Sequence, residues 1–118
     1  MKSDCVTQTK GQAPAHAVSR GQELSEEDIE SIAAMLRVLG DETRIRLMEV
    51  LNHQGRATVS ALAAGLSMTQ QNISRQLSIL HLAGIVRRRR EGRCVYYELA
   101  DFTGWWLIGQ LASGLSVG

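Results

Sequence analysis

The chain has 118 residues, 44% of them apolar and 21% charged, with a formal net charge of +1. That length fits one domain with a core of its own, and the composition excludes a wholly disordered chain. Two cysteines are too few for a disulfide-built scaffold, and neither a bilayer-spanning apolar run nor the apolar stretch of a secretory signal is present, so a cytoplasmic protein with no membrane association is expected.

Residues 1–22 contain the single proline, Pro14, and show no hydrophobic period; they read as a flexible N-terminal arm, with the folded domain over residues 23–118. Charge is unevenly spread. Glu23, Glu26, Glu27, Asp28 and Glu30 cluster without a base, whereas Arg87, Arg88, Arg89, Arg90 and Arg93 gather around the single acid Glu91. A local basic patch attracts a polyanion even when the whole chain is almost neutral.

Ser25-Glu26-Glu27-Asp28 has the pattern of a capping box, and Ile29, Ile32, Ala33 and Leu36 follow at helical spacing. Gly40 ends this first helix, and Asp41 caps a second that carries Ile45, Met48 and Leu51. After a turn at residues 52–55, Thr58 caps a short third helix from Val59 to Ala64, with Gly65 as its stop. Ser67-Met68-Thr69-Gln70 is a second capping-box pattern, predicting a fourth helix from about Met68 to Leu82 with Ile73, Leu77 and Leu80 buried. Gln71, Ser74, Arg75 and Ser78 fall on its exposed face, and Gly84 ends it.

The period then changes. Ile85 and Val86 open a strand, and Val95, Tyr97 and Leu99 alternate with Cys94, Tyr96 and Glu98, with Glu91-Gly92 as the tight turn between the two runs. A last helix is expected from Asp101 to Leu115. Phe102, Trp105, Trp106, Leu107, Ile108, Leu111 and Leu115 surround most of it, more apolar surface than so small a monomer can hide, so a subunit interface is expected there. The tryptophans also admit a second role, an aromatic pocket for a small organic effector.

Two short helices joined by a tight turn, then an arginine-rich hairpin, then an apolar helix define a winged helix-turn-helix: mainly α, five helices plus a two-stranded wing. Thr69, Gln70, Gln71, Asn72, Ser74, Arg75 and Gln76 of the fourth helix can exchange hydrogen bonds with base edges, and Arg88, Arg90 and Arg93 of the hairpin can neutralise phosphates. No nucleophile sits in a pattern with a base and an orienting acid, and no glycine loop suits a phosphate, so an enzyme is not expected. Single-stranded RNA would call for stacking aromatics on the fourth helix, which has none.

Residues 36–99, from LRVLGDETRIRLMEVL (36–51) to VSALAAGLSMTQQNISRQLSILHLAGIVRRRREGRCVYYEL (59–99), resemble the ArsR/SmtB family of bacterial winged-helix repressors. The resemblance is carried by the Asp-x-x-Arg stretch at Asp41 and Arg44, by Ser74, Gln76, Leu77, Leu80, Ala83, Gly84, Ile85 and Val86, and by Arg90, Glu91, Gly92 and Tyr97 of the wing. Most members have histidine at the place of Gln76; glutamine keeps the hydrogen-bonding ability. The resemblance implies a homodimer built from the first and last helices, through Ile29, Ile32, Leu36, Phe102, Trp105, Trp106 and Leu111. It implies a fourth helix in the major groove of double-stranded operator DNA, an operator that is an imperfect inverted repeat, and repression relieved by an inducer.

Two metal sites common in the family lack their ligands here. Residues 55–62 hold no Cys-x-Cys pair, and Thr103, Gly114 and Val117 stand where ligands of the last helix would fall, leaving Asp101, which reads as a helix cap. His16, His53 and His81 are dispersed, so neither a metal site nor a cofactor is expected and the inducer stays open. Cys94 has two readings: a reactive thiol beside arginines, with Cys5 on the arm as its resolving partner, or an incidental thiol.

Overall fold

The structure, a computed structural model, describes residues 23–100 and 102–116, and only the backbone of Phe102, Thr103 and Ser116. The expected arm over residues 1–22, Cys5 within it, the capping role of Asp101 and the side chain of Phe102 lie outside the described residues. Five helices and one hairpin follow in the order α1 (Glu26–Leu39), α2 (Glu42–Gln54), α3 (Val59–Leu66), α4 (Gln70–Leu82), β1 (Val86–Glu91), β2 (Cys94–Leu99) and α5 (Phe102–Ser116).

Local chemistry sets each helix start. The Ser25 hydroxyl accepts from the Asp28 amide at 3.0 Å while the Asp28 carboxylate accepts from the Ser25 amide at 3.1 Å, the reciprocal box expected. Asp41 accepts from the Arg44 amide at 3.2 Å to start α2, and Thr58 from the Ala61 amide at 3.2 Å to start α3. The next boundary differs from expectation. Gly65 does not stop α3, which continues to Leu66; Ser67 closes it in the left-handed conformation at φ 55°, with its amide bonding back to Ala64 and that of Met68 to Ala63. Ser67 is thereby spent as a C-cap. The N-cap of α4 is Thr69, whose hydroxyl accepts from the Asn72 amide at 3.1 Å, so the helix starts at Gln70 rather than Met68.

The core is a single cluster. Leu47, Met48 and Leu51 of α2, Leu62 of α3, Ile73, Leu77 and Leu80 of α4, and Ile85 and Val86 entering the wing are almost fully enclosed. On α2 the buried stripe therefore runs through Leu47, and Ile45 is only half-buried. Helix α5 reaches the core through Gly104, where an added methyl would meet Met48 and Ile85 at 3.6–3.8 Å, and through Trp105, Leu107 and Ile108.

The hairpin is antiparallel, pairing Val86 with Leu99 at one end and Glu91 with Cys94 at the other. Its loop is Gly92-Arg93, one residue later than expected. Gly92 takes the positive φ of 62° that the first position of a type II′ loop requires, and Glu91 stays in the ladder. A third edge joins the wing to the helices: Ala57 and Tyr97 exchange two backbone hydrogen bonds at 3.0 and 2.8 Å. A single bridging residue leaves no periodic trace, and it was not expected from the sequence.

Candidate nucleic-acid interface

Helix α4 buries Ile73, Leu77 and Leu80 and turns the opposite face outward. Gln70, Gln71, Ser74, Arg75 and Ser78 are exposed on it, and Thr69, Gln71, Asn72 and Arg75 line an open cleft at its start. The helix contains no acid, and Arg75 has no carboxylate partner among the described residues. Gln76 sits differently. It is half-buried, its Oε1 accepting from Arg44 Nη1 at 2.8 Å and its Nε2 facing Asn72 Oδ1 at 3.5 Å, so both ends of the amide are engaged inside the protein.

The wing sorts its arginines by face. Register places Arg88 opposite Tyr97 and Arg90 opposite Val95, on the side that turns toward α3, where these four residues and Val59 line a shallow groove. Arg87 lies opposite Glu98 on the other side, and Glu98 accepts from Arg87 Nε at 2.6 Å and from Arg89 Nη2 at 3.3 Å. One carboxylate thus satisfies two cations, whereas Arg88, Arg90 and Arg93 carry no ion pair among the described residues. These three are the wing arginines picked out from the sequence.

Arg56, outside the sequence-based selection, braces the wing tip. Its guanidinium lies 4.0 Å over the Tyr96 ring and donates to Glu91 at 2.7 Å. This hydrogen bond from Arg56 holds the Glu91 carboxyl below the usual carboxylate range. Cys94 is exposed, but its cross-strand neighbour is Glu91, and it lies on the face of the wing away from Arg88 and Arg90. Among the described residues no three His, Cys, Asp or Glu side chains gather as a metal-binding group, and no helix is long and apolar enough to cross a membrane.

Of the residues assigned to a subunit interface, four are exposed apolar side chains in the single chain. Ile29, Ile32 and Leu36 are 42–49% exposed along α1, and Leu111 is 51% exposed on α5. Trp105 and Trp106 are half-buried, Trp105 against the core.

Fold, cleft and wing together define a winged helix-turn-helix. A helix-turn-helix domain model matches residues 39–89. The chain is 38% identical over 78 residues, 66% of its own length and 58% of the relative's, to a transcriptional repressor SmtB homolog of Synechocystis. It is 35% identical over 75 residues, 64% of its length and 84% of the relative's, to the helix-turn-helix-type transcriptional regulator MJ1325 of Methanocaldococcus jannaschii. Among solved structures it resembles the homodimeric winged helix-turn-helix DNA-binding domain of Mb0332 from Mycobacterium bovis, with a TM-score of 0.66 and 25% identity, covering 81% of this chain and 91% of that one. The chain belongs to the ArsR/SmtB family of winged-helix transcriptional regulators. It spans about three fifths of the length of the first curated relatives it matches.

Proposed function

We propose that the chain acts in the cytoplasm as a homodimeric repressor that binds double-stranded operator DNA. Helix α4 enters the major groove, with Gln70, Gln71, Asn72, Ser74 and Arg75 toward base edges and phosphates and Thr69 at its rim. The wing follows the backbone with Arg88, Arg90 and Arg93. The observation that carries this reading is the pairing pattern. Arg87 and Arg89 share the Glu98 carboxylate, while Arg88, Arg90 and Arg93 are paired with no described carboxylate.

Dimerisation is supported by the exposed apolar face of α1 and the exposed end of α5, and by the homodimeric state of the Mb0332 domain. Burying an isoleucine or leucine side chain contributes about 1.5–3 kcal/mol, so covering the exposed halves of four such residues per protomer offsets much of the cost of association. The repressor reading is supported by the name of the Synechocystis relative, which calls that protein a transcriptional repressor.

A mobility-shift experiment on the DNA upstream of the chain's own gene tests the reading. Retardation of that duplex, resisting competitor RNA and scrambled duplex, is expected. Equal competition by RNA would leave a winged-helix module of another kind.

A further inference from the structure

Arg44 is a cation with only 15% of its side chain exposed, and its one ion pair among the described residues is a long one. Asp41 stands 3.8 Å from its Nη1, and the same Asp41 oxygen already accepts the Arg44 backbone amide at 3.2 Å. Neutral oxygens therefore carry the guanidinium: Val38 O at 2.7 Å from Nε, Arg37 O at 3.4 Å from Nη2, and Gln76 Oε1 at 2.8 Å from Nη1. A guanidinium can only donate, so Gln76 must turn its oxygen toward Arg44 and its Nε2 toward Asn72. That donor in turn holds Asn72 Oδ1 toward Gln76 at 3.5 Å and leaves Asn72 Nδ2 to meet Met68 Sδ at 3.7 Å.

One lone pair on Oδ1 and one N–H on Nδ2 of Asn72 remain uncommitted in this arrangement. Asn72 also lines the cleft beside Gln71 and Arg75. The major-groove edge of adenine offers the matching pair, a donor at N6 and an acceptor at N7. We propose that Arg44 is a positioning residue that, acting through Gln76, fixes the Asn72 carboxamide so that it reads an adenine in each half-site. The proposal rests on the DNA-binding reading above. Because Arg37 and Val38 belong to the last turn of α1, the same network ties the helix carrying the exposed apolar face to the base-reading helix.

The test compares the parent with Asn72→Ala, Gln76→Glu and Arg44→Lys by selection from a pool of randomised duplexes. The Asn72 side-chain amide signals are read by 15N NMR in the free proteins. Gln76→Glu keeps an acceptor for Arg44, so the melting temperature holds, but it has no N–H to give Asn72. The parent should select adenine at one half-site position by about tenfold. Asn72→Ala and Gln76→Glu should erase that selection while keeping the preference at other positions, which a uniform loss of affinity would not do. Arg44→Lys, unable to span three acceptors, should weaken the same selection, and both Gln76→Glu and Arg44→Lys should shift the Asn72 amide signals without DNA. Gln76→Glu retaining the selection that Asn72→Ala removes, with unmoved amide signals, would overturn the proposal. A parent that selects no base at any position would overturn the DNA-binding reading and the adenine contact together.

Discussion

Arg87 and Arg89 share one carboxylate, and that sharing separates five neighbouring arginines into two roles. A cation already bound to Glu98 must give up that bond to reach a phosphate, whereas Arg88 and Arg90 need give up none. Substituting Arg88 or Arg90 by alanine should weaken binding to all duplexes about fivefold at physiological salt. Each should lower the salt slope by about 2, one phosphate contact for each of two protomers. Arg87→Ala should leave both quantities nearly unchanged. Anisotropy titrations over a range of salt concentrations measure all three, and equal losses for Arg87→Ala and Arg88→Ala would contradict the assignment. The sequence displays these arginines as one run. The β register that divides them is visible only once Val86 is seen opposite Leu99 and the turn falls at Gly92-Arg93. The family resemblance sets Gln76 among the base-reading residues, at the place of a histidine. Its actual partner, Arg44, lies 32 residues away, a separation no local pattern reports.

Among the elements, the starts of α1, α2 and α3 were legible because Ser25, Asp41 and Thr58 each stand alone as capping side chains. At the fourth start Ser67 and Thr69 both satisfy a capping rule. The left-handed backbone at Ser67, committed to ending α3, decides between them. The wing depends on a second set of contacts, Ala57 to Tyr97 and Arg56 to Glu91. Since the folded state lowers the Glu91 pKa, the Arg56–Glu91 contact contributes stability above the ordinary carboxylate pKa of about 4.3 and loses it as pH falls through the lowered value. The pair is solvent-exposed, so the contribution is small. Melting of the parent against Glu91→Gln should therefore differ slightly at neutral pH and converge on acidification. A difference that grows on acidification would contradict the sign. Helix α1 supplies a sharper test. Ile32→Asp puts a charge into the proposed interface at a residue already 42% exposed in the single chain, so the fold should survive. Sedimentation velocity should show dimer association weakened by about 100-fold. An unchanged dimer would place the interface elsewhere.

At the scale of the whole molecule, the order of helix-turn-helix, basic hairpin and apolar helix could be read from the sequence because each part has its own period and its own punctuation. What could not be read is how the parts are joined: one bridging residue at Ala57, one bracing arginine at Arg56, and one enclosed guanidinium at Arg44 that touches both α1 and α4. Those joins tie the wing to the segment between α2 and α3, and α1 to α4; on the proposed function, two such units related by a two-fold axis are what a palindromic duplex requires. Hydroxyl-radical footprinting on the DNA upstream of the chain's own gene, at a concentration where sedimentation shows two chains, tests this most directly. Two protected tracts about one helical turn apart, disposed symmetrically about a centre, are predicted. A single unsymmetrical tract, or uniform cleavage along the duplex, would contradict it.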